Sequence, residues 1–194
     1  MSPLVSSVIK YGTINYRGHK GKQRRDEEET PPLDPGKARE RVFQRAAKLL
    51  AAKQRSVEEL RERLLAGRGA TPEIVETVIE RLREYGYLND ERFAQSYASL
   101  RLQQRPLGRQ RLQRDLRLKK IDAATVEQAL DELFAATPET DLIDRAIAKR
   151  IRLRGKPKTR EEAKKLFDHL LRQGFPFELV SEKVRAALKQ ELDE

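Results

Sequence analysis

From Ala38 to Leu188, apolar residues recur three and four positions apart, and the runs are broken by Gly, Pro and short polar side chains. That spacing belongs to amphipathic helices, not to the strict alternation of half-buried strands. Three stripes keep i, i+4, i+8 spacing: Ile74, Val78, Leu82; Val126, Leu130, Phe134; and Val180, Val184, Leu188. Ser56 with Glu59 and Thr159 with Glu162 read as capping boxes. Thr71-Pro72-Glu73 and Thr137-Pro138-Glu139 each read as an N-cap residue before Pro at the first helical position, with an acid near the positive helix end. Gly86 and Gly174 follow apolar-periodic runs and read as stops. Together these signals predict nine helices, at about 38–53, 57–67, 72–84, 90–104, 108–119, 123–136, 139–153, 160–172 and 176–190.

The helices repeat in threes. Laid over one another, Ser56, Gly108 and Thr159, 52 and 51 residues apart, bring Leu60, Leu112 and Ala163 into register four positions on. Eight positions on stand Leu64, Leu116 and Phe167. A period of about 51 residues with three helices is not that of a tetratricopeptide repeat, which has two helices in about 34 residues. Units this small hold themselves together poorly and rely on their neighbours. The expected fold is therefore all-α: an elongated, curved tandem array of three three-helix units, 38–88, 89–137 and 138–194. Residues 1–37, rich in Gly, Pro and charge, read as a mostly disordered N-terminal arm, in which Val5 to Tyr16 could form a short strand or dock on a partner.

Composition agrees with a thin-cored array, since 37% of residues are charged and only 38% are hydrophobic. The 41 basic residues outweigh 31 acidic ones, leaving a formal charge of +10. That excess favours nucleic acid, an acidic protein groove or anionic lipid as partner. The chain shows neither a long apolar span nor a secretory leader, and without cysteine it has no disulfide or thiol chemistry, so the cytoplasm is the expected location.

Candidate chemistry is sparse. His19 and His169 lie far apart in sequence with no cysteine companion, and no phosphate-cradling G-x-x-x-x-G-K-[ST] loop is present. Gly67-Arg68-Gly69 fits a helix–helix turn better than a dinucleotide loop, and Asp26–Glu29 fits a solvated charge run. The chain therefore reads as a binder, not an enzyme, with no cofactor and no metal. The distribution of positive charge points to where binding occurs. The bend between the first and second helix of each unit is basic: Lys53 and Arg55; Arg101, Arg105, Arg109, Arg111 and Arg114; then Lys149, Arg150, Arg152, Arg154, Lys156, Lys158 and Arg160. The stretch from 149 to 160 contains no acid. Bends recurring at equivalent places suit a polyanion or a long acidic groove, although a highly basic chain also places solubilising charge in its loops. The segment 109–119 has the arginines of a groove-reading helix, but they serve phosphate contact equally well. Tyr85, Tyr87, Phe93 and Tyr97 fall at the joint between units one and two, where packing is expected.

That joint, Gly86-Tyr87-Leu88-Asn89-Asp90-Glu91-Arg92-Phe93-Ala94, resembles the signature of the RecX family. Arg55-Ser56-Val57-Glu58-Glu59-Leu60 with Leu64 resembles the family's R-S-x-x-E-L-x-x-x-L opening. Gly108-Arg109-Gln110-Arg111-Leu112-Gln113-Arg114-Asp115-Leu116, then Lys119-Lys120-Ile121, resembles its G-x-x-R-L-x-x-E-L-x-x-K-G-I centre, with Asp115 for the usual Glu and Lys120 for the usual Gly. Lys120 carries a cost only if the turn needs a positive φ. The resemblance implies a non-enzymatic regulator that lies in the groove of the RecA filament on single-stranded DNA. Bridging protomers there, it would oppose ATP hydrolysis, strand exchange and stimulated repressor cleavage, and so act on recombination, repair and the SOS response. The implied partners are RecA and single- or double-stranded DNA, with no membrane and with the chain itself a monomer. A direct, sequence-nonspecific DNA binder is the alternative. In this reading the basic bends contact filament or DNA, while Gly86, Tyr87, Leu88, Asp90, Phe93 and Ala94 form a structural joint: Gly86 ends one helix, Leu88 packs back on it and Asp90 caps the next.

Overall fold

The computed structural model describes residues 34–189. Among them stand nine α-helices and no strand: α1 Pro35–Ala52, α2 Val57–Leu65, α3 Pro72–Glu84, α4 Asp90–Gln104, α5 Arg109–Arg117, α6 Ala123–Ala136, α7 Glu139–Arg154, α8 Arg160–Arg172 and α9 Phe177–Lys189. They pack as three triplets, α1–α3, α4–α6 and α7–α9, referred to below as repeats 1, 2 and 3. The arm expected at 1–37, with the Val5 to Tyr16 stretch, lies outside the described residues except at its end. There α1 begins at Pro35, three residues earlier than expected. Asp34 is its N-cap, accepting from the Gly36 amide at 3.3 Å, and Pro35 pre-sets φ at the first helical position.

Other starts follow their caps. Ser56, Thr71 and Thr159 accept from the amides of Glu59, Ile74 and Glu162. Two expectations need correcting. Thr137 closes α6, its amide bonded to Leu133 at 2.9 Å, so Pro138 and not Thr137 stands at the N-cap of α7. Asn89, not Asp90, caps α4, accepting from the Arg92 amide at 2.7 Å; Asp90 is the first helical residue.

Each repeat has its own core. Val42, Leu60, Leu64, Val78 and Leu82 meet in the first, Phe93, Leu112, Leu116, Val126 and Leu130 in the second, and Ile143, Leu166, Leu170, Phe175 and Val180 in the third. Burying one such side chain contributes about 1.5–3 kcal/mol. Repeat 3 departs from the sequence register: Leu166 is buried where Phe167 was expected, and Phe167 is half-buried, edge-on to Phe177 at 5.4 Å. The buried face of α8 is Ala163, Leu166 and Leu170, at three- and four-residue spacing. Leu102 and Phe134 pack against both the second and third cores.

Candidate interaction surface

Three features set the surface: how the repeats are joined, which cations are already neutralised, and which are left. The second helices meet end to start. At the first seam the Ser56 hydroxyl, fully buried, caps α2 and also donates to the carbonyl of Lys119 beyond the end of α5. The Val57 amide donates to Asp90 at 2.9 Å, Lys119 pairs with Glu59 at 3.0 Å, and Lys120 pairs with Glu62. At the second seam the Gly108 and Gln110 amides donate to the carbonyls of Gln173 and Gly174 at 3.0 and 3.3 Å, and the Arg109 amide donates to Glu139 at 2.6 Å. Asp90 and Glu139 are thus equivalent. Each is the first residue of a repeat and holds the first amide of the previous repeat's second helix. Burial pushes both carboxyls above their ordinary range, against the pull of those amides.

The joint residues divide by exposure. Gly86, at φ 70°, ends α3, with the Tyr87 amide bonded to Leu82 at 2.9 Å and Gly86 to Arg83 at 2.9 Å. Leu88, Phe93 and Ala94 are buried, and Phe93 stacks with Tyr97 at 6.0 Å. Tyr85 and Tyr87, expected to pack, are 54% and 69% exposed and lie edge-to-face at 6.3 Å. Lys53 is exposed, while Arg55 is half-buried beside Tyr87 in a shallow cleft.

Repeat 2 spends much of its positive charge internally. Arg101 and Arg111 both bond the buried Asp115 at 3.0 Å, and Arg101 lies 6.0 Å from the Tyr97 ring. Arg109 reaches Glu127 at 2.8 Å and Asp131 at 2.7 Å. Arg105 and Arg114 have no ion-pair partner among the described residues. Stripping a partner from Asp115 would leave a buried charge under-satisfied.

Repeat 3 is different. None of Lys149, Arg150, Arg152, Arg154, Lys156, Lys158 and Arg160 forms an ion pair with a described residue, and all but the half-buried Arg150 are exposed. Gly155, at φ 81°, turns the chain out of α7, and the buried Pro157 fixes the loop that carries Lys156 and Lys158. Arg152 and Arg154 also sit in the last turn of α7, where cations complement the helix dipole. Arg150 lines two clefts. One, about 150 Å³, brings it together with Arg105, Lys149, Pro106, Ala146 and Leu153, with His169 of α8 and Gln173 at its C-cap. The other holds Arg154, Lys156 and Lys165, with Glu162 as its carboxylate. Lys165 and His169 were outside the sequence-derived set. Their place beside the bend depends on α8 folding back on α7, which no local pattern reports. No group of His, Asp and Glu suited to hold a metal ion occurs among the described residues, and no helix there is long and apolar enough to cross a membrane.

Comparison with known proteins gives this arrangement a lineage. The family model for the first three-helix domain of RecX matches residues 43–82, and that for its second three-helix domain matches 89–130. The regulatory protein RecX of Bacillus velezensis is 32% identical over 178 residues, 91% of this chain but 65% of that protein. The Streptomyces coelicolor regulatory protein RecX is 31% identical over 167 residues, 86% of each chain. The crystal structure of RecX from Lactobacillus salivarius shares the fold with a TM-score of 0.68, covering 80% of this chain and 99% of that one at 19% identity. Another RecX crystal structure gives 0.65 over 78% of this chain and 73% of that one, at 21% identity. With the first two helix triplets matched in order and most of the Streptomyces protein aligned, this chain belongs to the RecX family of regulatory proteins.

Proposed function

We propose that this chain is a non-enzymatic cytoplasmic regulator of the RecA recombinase, which binds the RecA filament on single-stranded DNA through the basic edge of repeat 3 and restrains its ATPase, strand exchange and repressor-cleaving activities. Membership in the RecX family supports the general role. The observation that carries the choice of surface is the run 149–160, seven cations with no carboxylate partner among the described residues. Such charge is free to meet an acidic protein groove or phosphates without breaking anything internal. Arg101, Arg109 and Arg111, already paired, are supporting scaffold in this reading, and Arg105 is the repeat-2 residue closest in role to the free cluster. Chaining repeats lets one molecule touch several filament protomers at once.

The same free charge favours one second reading, direct coating of DNA. Dose separates the two: a filament regulator inhibits DNA-stimulated RecA ATPase at amounts far below those that saturate the DNA, whereas a coating protein inhibits only near saturation. Reversing Arg152, Arg154 and Lys156 to Glu should leave the helical circular dichroism unchanged and weaken inhibition at least about tenfold, equivalent to about 1.4 kcal/mol. Undiminished inhibition by that variant would assign the cluster a solubilising role only.

A further inference from the structure

The cleft between repeats 2 and 3 combines features that the free cluster alone lacks. Its apolar lining is Pro106, two residues beyond α4, with Ala146 and the exposed Leu153 of α7. Its rim is cationic, with Arg105 from repeat 2 facing Lys149 and Arg150 from repeat 3, and no carboxylate lines it. His169 enters from α8, a half-buried imidazole that the basic edge as read from sequence does not use. Backbone amides take the carbonyls at the end of α8: Gln173, Phe175 and Gly174 bond those of His169, Leu170 and Leu171, and Gly108 and Gln110 bond those of Gln173 and Gly174 just beyond. Arg150 also lines the second cleft, with Arg154, Lys156 and Lys165 and the carboxylate of Glu162. Cations beside apolar groups match a chain that alternates charged and apolar groups at short intervals, and a single nucleic-acid strand does so at every nucleotide.

We infer that this cleft seats one phosphate of a single nucleic-acid strand between Arg105 and Arg150, with His169 as the third contact and the sugar against Leu153. The inference rests on the proposed anionic partner of repeat 3 and adds to it a defined subsite across the seam.

The site has a proton linkage. Burial holds the imidazole below its ordinary value, and Arg150 and Arg172 push in the same direction. The other cations facing it are Arg105 from the α4 end and Lys149 from α7. A bound phosphate reverses that balance by placing negative charge beside the ring, so binding and protonation of His169 favour each other. His169 and His19 are the two histidines of the chain, and His169→Gln assigns the resonances.

The experiment uses the full chain, proton NMR of the imidazoles, and titration with oligothymidylate. The expected result is a rise of the His169 midpoint by about one pH unit on saturation, which corresponds to about a tenfold gain in affinity from alkaline to mildly acidic pH. His169→Gln should lose most of that gain, its affinity varying less with pH than the parent's. Binding with an unmoved His169, or an equal pH dependence in His169→Gln, overturns the subsite while leaving the repeat-3 contact standing. A shift produced by polyglutamate and not by oligothymidylate would make the cleft an acidic-peptide site, and no binding of the oligonucleotide at any pH likewise overturns it. The failure of the repeat-3 reading is separate, being retained RecA inhibition in the triple charge reversal.

Discussion

At the seam between repeats 1 and 2 the start of α2 meets the end of α5 through side chains, with Ser56 touching Lys119, and Glu59 and Glu62 holding Lys119 and Lys120. At the seam between repeats 2 and 3 the start of α5 meets the end of α8 through bare backbone, because Gly108 and Gly174 let the two chains approach directly. Both seams meet the same need. The first amides and last carbonyls of a helix lack partners within it, and stacking one helix's start on another's end satisfies both sets. One solution uses a hydroxyl and ion pairs, the other uses the absence of a Cβ. Thr159, the equivalent residue of repeat 3, caps α8 locally instead, with Glu162 reaching back to the Lys158 amide at 2.7 Å. The capping residue of each second helix is thus also the point where, in two of the three repeats, the array is joined.

The sharpest way to break the backbone seam is Gly174→Ala. Its Cβ would stand 2.3 Å from the Arg111 nitrogen, and φ is +88°, so both space and conformation oppose it. A loss of about 2–4 kcal/mol is expected, a fall in Tm of roughly 2–4 °C per kcal/mol for a chain of this size. Gly86→Ala is the control. It shares the positive φ, at +70°, but has open space around it, and should cost only about 1–2 kcal/mol. Equal melting temperatures for the two variants would mean that the close approach at the second seam stores no stability.

How much of this was legible depended on whether a signal was local. Caps and stripes are local, and the helices they announced fall within a few residues of their places. Asp34-Pro35 carries the same cap-then-proline signal as Thr71-Pro72, yet read as part of the arm because Pro31 and Pro32 precede it. The alignment of Ser56, Gly108 and Thr159 found the repeat, and Gly108 broke the pattern of capping side chains for a reason only Gly174, 66 residues on, supplies. The basic bends were visible as composition. Their division into paired arginines in repeat 2 and unpaired cations in repeat 3 was not, because Asp115, Glu127 and Asp131 reach them only through helix packing.

The side-chain seam is tested by Ser56→Ala. The hydroxyl is buried and both accepts from Glu59 and donates to Lys119, so its loss removes a cap and leaves a seam carbonyl short of a donor. About 1–2 kcal/mol is expected in urea or thermal unfolding. Thr159→Ala, which removes an exposed cap and nothing at a seam, should cost less, about 0.5–1 kcal/mol. If the two substitutions cost the same, the Lys119 contact contributes nothing and the first seam rests on its ion pairs and Asp90.

The smallest effect is expected at Lys120, in the turn that follows α5 at the first seam. Its φ of 61° makes it the positive-φ residue among those described that is not glycine, in the turn where the family pattern carries Gly. The left-handed conformation costs a side-chain-bearing residue about 1 kcal/mol or more. Against this stands an ion pair with Glu62, and both side chains are about half exposed, so water screens it to well under 1 kcal/mol. Glycine also adds freedom to the unfolded chain, which offsets part of the relief. Lys120→Gly should therefore raise stability by a few tenths of a kcal/mol, about 1 °C in Tm. Glu62→Ala should then be silent in the Lys120→Gly background and slightly destabilising in the parent. A drop in Tm for Lys120→Gly would reverse the ranking, with the ion pair outweighing backbone strain, and would place the strength of the first seam in its charges instead of its hydroxyl.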